Sequence, residues 1–300
     1  MTLYTQKSSN IRKTWILFTF FLIVVIAIGW FFSQIYGNPS ILYLAVIFSI
    51  FMNVLAYWYS DKIVLGMARA TPIEKKDSPE LYNVVENLCI TAGLPMPRIY
   101  LVNETQPNAF ATGRNPEHAV IAVTEGLLQK LDRSEIEGVL AHELSHIGNR
   151  DMLLSTVIVV LVGFISILSD IFLRTRIFSF RSRDDREGGQ AGAILMLVGI
   201  VLAILAPIAA ILMQLAISRK RESLADNSGA LLTRYPEGLA SALEKISADN
   251  TPMRVANNTT AHLWLDNPFK GQKKISWLSK LFMTHPPIED RIKALRGMEI

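Results

Sequence analysis

Long apolar runs alternate with polar segments along this chain. Residues 14–33 and 41–59 contain no charged side chain, and each run is long enough to cross about 30 Å of hydrocarbon as a helix. Residues 152–173 and 191–217 form a second apolar pair, with Asp170 near the end of the first run and Pro207 inside the second. The pattern predicts two membrane hairpins, within 1–59 and 152–217, and two polar parts, 60–151 and 218–300.

The first apolar run also has features of a secretory signal. It lacks a clear small-residue cleavage site, and a second apolar run follows directly, so we interpret it as a retained membrane span. Hydrophobic residues make up 50% of the chain and the mean hydropathy is +0.30. These values are typical of a membrane protein with a substantial polar part.

Basic residues cluster at the ends of the apolar runs. The connector 34–40 carries no charge, whereas Lys and Arg precede the first run and follow the second and fourth. The positive-inside rule therefore predicts that the N-terminus, 60–151 and 218–300 are cytoplasmic. This distribution accounts for the net charge of +4 and the pI near 9.1 without a nucleic-acid partner. The residues concerned are Lys7, Arg12, Lys13, Lys62, Arg69, Arg219, Lys220 and Arg221.

Two further features bear on location. The single cysteine, Cys89, cannot form an internal disulfide, in agreement with a reducing compartment. The connector 174–190 contains five arginines, although it lies outside if the third and fourth runs both cross. Either the earlier charges dominate the orientation, or this second pair forms a hairpin that does not traverse fully. The sequence leaves both arrangements open.

Shorter patterns predict elements in the polar parts. Ser78 and the following Pro79 and Glu80 predict a helix start, and the helix runs to about Ala92. Residues 98–102 and 119–124 predict short strands with a loop between them. Residues 248–276, rich in Asn, Thr, Pro and Lys, predict a loop or mobile excursion.

Residues 142–146 read His-Glu-Leu-Ser-His and carry the strongest chemical signal. On a helix, His142 and His146 share one face, so both imidazoles can bind one zinc ion. Glu143 lies beside them, where a carboxylate can act as general base on a water molecule at the metal. A surface helix with two solvated histidines is the alternative.

The flanking sequence favours a buried helix around this motif. Asp132 and Ser134 each have a Glu three positions later, so two overlapping capping boxes can start a helix here. Leu140, Leu144 and Ile147 fall on the side opposite the two histidines. The helix is therefore expected to bury this apolar side and to present the histidines to a cleft.

A catalytic zinc ion usually takes three protein ligands, so a third must come from elsewhere. After the fourth apolar run, Glu222 and Asp226 share one helix face, with Arg219 nearby. Glu222 is the candidate third ligand, and Asp226 would orient a ligating histidine through its second ring nitrogen. In isolation, the segment is more typical of an exposed charged helix held by i,i+4 pairs. If both helices extend membrane helices outward, the hairpin brings His146 and Glu222 to one height above the bilayer.

Together these motifs resemble the HtpX-type membrane zinc metalloproteases, gluzincins related to the CAAX prenyl protease. The resemblance covers essentially the whole chain, including 108–113 and 284–286. It implies a mainly α (α+β) fold, in which membrane helices carry a largely helical, cytoplasmic protease domain with a small β-sheet. It also implies one zinc ion per subunit held by His142, His146 and Glu222, with Glu143 as general base.

The resemblance implies roles for further residues. His285, with Arg291 as its companion, is expected to stabilise the carbonyl oxygen during hydrolysis. Asn108, Ala109 and Phe110 are expected at a sheet edge beside the cleft, where an extended substrate can add as a strand. The alternative for His285 is an ordinary histidine at a helix start. The alternative for residues 108–110 is a turn with a buried Phe110. His118 and His262 belong to no motif and are interpreted as ordinary polar residues.

The resulting hypothesis is a zinc metalloendopeptidase of the inner membrane that cleaves misfolded or damaged membrane proteins at the cytoplasmic face. An intramembrane protease is disfavoured, because Glu135, Glu137, Arg150 and Asp151 flank the motif and are costly to bury in lipid. A scaffold or transporter subunit with a structural zinc ion remains the alternative from a different class. Such a site generally has four protein ligands and no open position.

Overall fold

The computed structural model describes residues 3–165, 219–255, 257, 259–270 and 287–298, and the single positions 199, 201 and 205. The fold is mainly α-helical with one small mixed sheet, as predicted. The helices are α1 Leu3–Tyr36, α2 Ser40–Met67, α3 Pro79–Ala92, α4 Glu125–Lys130, α5 Arg133–Gly148, α6 Met152–Ile165, α7 Arg219–Thr233, α8 Pro236–Ala248 and α9 Ile288–Arg296. The strands are β1 Thr71–Pro72, β2 Arg98–Val102, β3 Ala109–Thr112 and β4 Val120–Thr124.

Helices α1 and α2 are long and apolar enough to span a membrane, over Ser8–Tyr36 and Ser40–Met67. They pack against each other, and the Asn53 side-chain amide of α2 donates to the Phe18 carbonyl of α1 at 3.2 Å. Their outer surfaces expose large apolar side chains such as Trp30 and Leu44, as expected of surfaces that face lipid. The prediction of two membrane-length apolar helices near the N-terminus is confirmed.

The second predicted hairpin lies mostly outside the described residues. Within it, α6 begins at Met152 and is described to Ile165, and it is bent by 83° relative to α5. The motif helix therefore does not continue the axis of α6, so the condition that it extends this helix outward is not met. The backbone turns at Arg150, which has a left-handed φ of +53°.

The sheet has the order β1-β2-β4-β3, in which β2 and β4 are parallel and the two other pairs are antiparallel. The central strand β4 is buried along its whole length. The motif helix α5 contacts α3, β3, α7 and α8, and all these elements contribute apolar side chains to one core cluster with α5. This packing places α5 in the middle of the polar part of the protein.

Helix α5 starts at the predicted capping box. The Asp132 carboxylate accepts from the Glu135 amide at 3.0 Å, and the Glu135 carboxylate accepts from the Asp132 amide at 2.8 Å. Glu135 also accepts from the Ser241 hydroxyl at 2.6 Å and lies 2.7 Å from the Lys245 ammonium. The cap thus joins α5 to α8 and orients the motif helix, in addition to starting it.

Close approach between α5 and α7 depends on Gly229. A Cβ atom at this position would lie 2.9 Å from the backbone nitrogen of His142, which is nearer than side chains normally pack. The small residue lets the two helices meet at the histidine motif. It thereby brings Glu222, on the same helix, towards the histidines.

We expect Gly229→Ala to lower the free energy of unfolding by about 1–3 kcal/mol and to weaken metal binding, because the added methyl group separates the two helices. Gly66→Ala in α2 is the matched control, since among the described residues no atom lies within 4 Å of its added Cβ. Thermal unfolding and metal stoichiometry of both variants measure the effect. Equal thermal stability and equal metal content in Gly229→Ala and wild type would contradict the proposed role of Gly229.

Candidate metal centre

The two histidines of α5 meet Glu222 of α7 in one cluster. One potential ligand atom from each of these three residues lies within 4.8 Å of the other two. The two His Nε2 atoms are 3.1 Å apart, and each lies 3.8 Å from a carboxylate oxygen of Glu222. The cluster has the composition and spacing of a site for one metal ion.

The orientation of the imidazoles supports this interpretation. Two nitrogens bound to one tetrahedral zinc ion at about 2.0–2.1 Å lie roughly 3.3 Å apart, close to the observed Nε2 separation. Each Nδ1 atom faces a carboxylate instead: Asp226 Oδ1 lies 2.9 Å from that of His142, and Asp151 Oδ2 lies 3.1 Å from that of His146. With the Nδ1 protons held by these carboxylates, both Nε2 atoms are directed to the same point, where a bound metal ion would displace any proton they carry.

Asp226 is held in place by a buried arginine. The Arg291 Nε and Nη2 atoms donate to the two Asp226 carboxylate oxygens at 2.8 and 2.7 Å. Burial alone would raise the pKa of Asp226, but the Arg291 charge and the contact with His142 outweigh burial and lower that pKa to about 2. Asp226 is therefore a permanent anion that orients His142. Arg291 acts here as its partner and, among the described residues, is not part of the cavity wall.

Glu143 is buried beside the two histidines. Burial raises its pKa, and the neighbouring His142 and His146 oppose this effect. For His146, burial would lower the pKa, but the Asp151 carboxylate and its hydrogen bond raise it to about 10. A carboxyl group with a raised pKa, placed beside potential metal ligands, has the properties of a proton acceptor in catalysis.

His142, Glu143, His146 and Glu222 line one cavity. The sequence interpretation overlooked three other wall residues. Asp151 appeared only as a flanking charge, Arg221 only as part of the basic cluster after the fourth run, and His262 as an ordinary polar residue. The last lies in the predicted loop, and its Nε2 is 3.3 Å from the Ser155 carbonyl. No local motif marks any of them, because tertiary folding brings them to the cavity.

Residues 108–110 start the edge strand β3. The Asn108 side chain donates to the Asp266 carbonyl at 2.9 Å, and the Ala109 carbonyl accepts from the Leu265 amide at 3.0 Å. Phe110 is buried against Trp264, with ring centroids 4.8 Å apart. The predicted loop is therefore closely packed here, since residues 264–266 cover the start of the open sheet edge.

The next open position on this edge is Ala111. Antiparallel pairing alternates, so the main-chain groups of Ala109 and Ala111 point away from β4. Ala111 also lines the cavity that contains the potential metal ligands. An extended peptide that paired with Ala111 would pass beside those ligands.

Three further residues were considered in the sequence analysis. His285 lies outside the described residues. Arg219 is the first residue of α7, and its side chain is not described. His118 is exposed and lies outside the cavity, where its Nε2 is 2.6 Å from Arg114 Nη2.

Comparison with known proteins identifies the family. The model of peptidase family M48 matches residues 75–299. The chain belongs to peptidase family M48. Curated proteins described as protease HtpX homologs match it along most of its length. One from Caldanaerobacter subterraneus subsp. tengcongensis is 46% identical over 304 residues, covering 100% of this chain and 99% of its own length. One from Syntrophobacter fumaroxidans is 51% identical over 265 residues, covering 87% of this chain and 91% of its own length.

A solved structure shows the same fold at low sequence similarity. The crystal structure of S. mikatae Ste24p matches with a TM-score of 0.50 and 21% identity, and the alignment covers 94% of this chain and 66% of that chain. The M48 assignment and the two apolar helices establish a membrane metallopeptidase. The resemblance inferred from the motifs is confirmed at the level of family and fold.

Proposed function

We propose that this protein is a zinc metalloendopeptidase that hydrolyses peptide bonds of misfolded or damaged membrane proteins at the cytoplasmic face of the inner membrane. The observation that carries the proposal is the cluster of His142, His146 and Glu222 with Glu143 buried beside it. Two imidazoles and one carboxylate form a known catalytic zinc donor set, which leaves a coordination position open. A structural zinc site would need a fourth protein donor.

The residues divide the chemistry between them. A zinc ion held by the three ligands supplies Lewis-acid activation of water and of the peptide carbonyl group. Glu143 accepts the proton of the attacking water and returns it to the leaving amine. Asp226 and Asp151 keep His142 and His146 in the ligating orientation.

Substrate binding is proposed at the open edge of β3. Main-chain pairing with Ala111 places an extended peptide along the cavity without demanding a particular side chain. Such tolerance suits a protease that removes many damaged proteins. Asn108, Ala109 and Phe110 then act by holding 264–266 beside the bound peptide. His285 is proposed to stabilise its carbonyl oxygen, and Arg291 supports the site by holding Asp226.

The cytoplasmic placement is supported by charge and by the bend. The basic residues beside α1 and α2 favour the cytoplasmic side for both ends of this hairpin. The 83° bend separates α5 from the axis of α6, and α5 packs against the sheet domain. These features favour cleavage at the membrane surface over cleavage within the lipid.

We expect purified protein in detergent to cleave an unfolded polypeptide, to lose this activity after chelation, and to regain it with about one equivalent of zinc. Fragment analysis by mass spectrometry would show internal cuts, and a membrane-anchored substrate with a cytoplasmic unfolded tail tests the side of attack. Undiminished cleavage after verified metal removal would refute the assignment. A bound zinc ion with four protein donors and no cleavage would support the scaffold alternative.

A further inference from the structure

A second cavity lies between the membrane hairpin and the protease domain. Its empty space, counted out to the open solvent, is about 580 Å³. Helix α1 contributes Thr14 and Trp15, and the loop before β4 contributes Arg114 and Asn115. Arg150, at the bend between α5 and α6, completes the polar wall.

The wall is strongly basic. Among the described residues, no carboxylate lies within ion-pair distance of Arg114 or Arg150, and the buried Nε of Arg150 has no hydrogen-bond partner. The Asn115 side-chain nitrogen also makes no hydrogen bond within the described part, because only its oxygen bonds to His118. A buried N–H group without a partner is costly, so the Arg150 Nε favours an anionic ligand, and the half-buried Asn115 amide adds a second donor beside it.

Two exposed tryptophans flank the cavity near the ends of the candidate spans. Trp15 and Trp58 flank it with exposed fractions of 61% and 51%, near the start of the first candidate span and towards the end of the second. Exposed Trp at the ends of spanning helices is typical of the headgroup level of a bilayer. The Arg114 guanidinium stacks over the Trp58 ring at 4.4 Å, so it is held at the same level.

We propose that this cavity binds the phosphate group of an anionic phospholipid. Guanidinium groups match phosphate oxygens in geometry and charge, and two of them here share one site with an amide donor. The aromatic and aliphatic wall residues accommodate the glycerol and the first methylene groups of the acyl chains. Anionic lipids are concentrated in the cytoplasmic leaflet, which the orientation of the hairpin favours.

Arg150 also has an unusual backbone conformation. Its φ of +53° lies in the left-handed region, which is strained for an arginine and not for a glycine. The neighbouring Asp151 lines the metal cavity and contacts His146. Consecutive residues thus serve two cavities, and a lipid held by Arg150 would brace the corner that carries Asp151.

The test uses the full-length protein, delipidated in detergent and incubated with equal amounts of phosphatidylglycerol and phosphatidylcholine. Native mass spectrometry then counts the lipids retained. We expect wild type to prefer phosphatidylglycerol about tenfold and Arg150→Gly to reduce its retention about tenfold, as expected for losing a charge-assisted hydrogen bond. Arg114→Gln is expected to act in the same direction.

Arg234→Gly is the matched control. Arg234 has the same φ of +53°, is exposed, and is not part of the cavity wall, so this variant loses the same charge and relieves the same strain. It should retain phosphatidylglycerol like wild type. If Arg150→Gly does not fold, Arg150→Asn replaces it, because Asn also tolerates the left-handed conformation.

The outcomes are decisive in both directions. Selective retention that falls in the Arg150 and Arg114 variants, but not in Arg234→Gly, supports the site. Equal retention of both lipids by wild type, or unchanged retention in both cavity variants, overturns it. Displacement of phosphatidylglycerol by an equal concentration of inorganic phosphate would show that free phosphate is the ligand, and would overturn the lipid assignment.

Discussion

Glu143→Gln is expected to lower peptide hydrolysis by about 10²–10⁴-fold while the protein still binds its metal. The amide has nearly the same size and fills the same buried position, but it cannot accept the proton of the attacking water. Since Glu143 is not one of the three clustered ligands, the metal site should remain intact. The measurements are the initial cleavage rate of an unfolded polypeptide and metal content by elemental analysis.

Glu137→Gln provides the control for this substitution. Glu137 lies on the same helix but outside the cavity wall, so the variant changes the same functional group without touching the site. It should cleave at the wild-type rate. Retained proteolysis in Glu143→Gln would reject the general-base role, and loss of metal in that variant would instead point to a role in binding.

Glu222→Ala is expected to reduce bound metal from about one equivalent to nearly none and to abolish hydrolysis. The substitution removes the only carboxylate of the described three-residue cluster and leaves two histidine donors. Asp226→Asn should have a smaller effect, a loss of about 10–100-fold in metal affinity, because it perturbs only the orientation of His142. Titration of metal-free protein with zinc distinguishes the two effects.

The control for Glu222→Ala is Glu80→Ala, which removes an exposed carboxylate from the first turn of α3. Its metal content should equal that of wild type. Near-stoichiometric metal in Glu222→Ala would exclude this residue as a ligand. An affinity loss as large in Asp226→Asn as in Glu222→Ala would mean that orientation matters as much as direct ligation.

Local sequence patterns predicted much of the fold correctly. The helix at 79–92 and the strand at 98–102 were predicted within a residue, because N-caps and alternating apolar positions act over a few neighbouring residues. The second strand starts at Val120, one residue later than expected. Strand β3 was not predicted as a strand from local pattern, because it depends on pairing with β4.

The candidate site was predicted only in part. Spacing on one helix indicated His142, Glu143 and His146, and a second spacing indicated Glu222 and Asp226. By contrast, the contact of Asp151 with His146 depends on the turn at Arg150, and a left-handed arginine has no sequence signature. His262 and Arg221 reach the cavity through long-range packing, which no short pattern encodes.

The sequence alone determined which chemistry this chain can support and that two apolar runs precede it. Those properties depend on residue types at helical spacing and on run length, which are local quantities. Tertiary structure alone decided that Asp226 contacts His142 and Asp151 contacts His146, that 264–266 cover the sheet edge, and the angle between α5 and α6. These features arise where segments far apart in the chain exclude water together, so they depend on the whole packing arrangement.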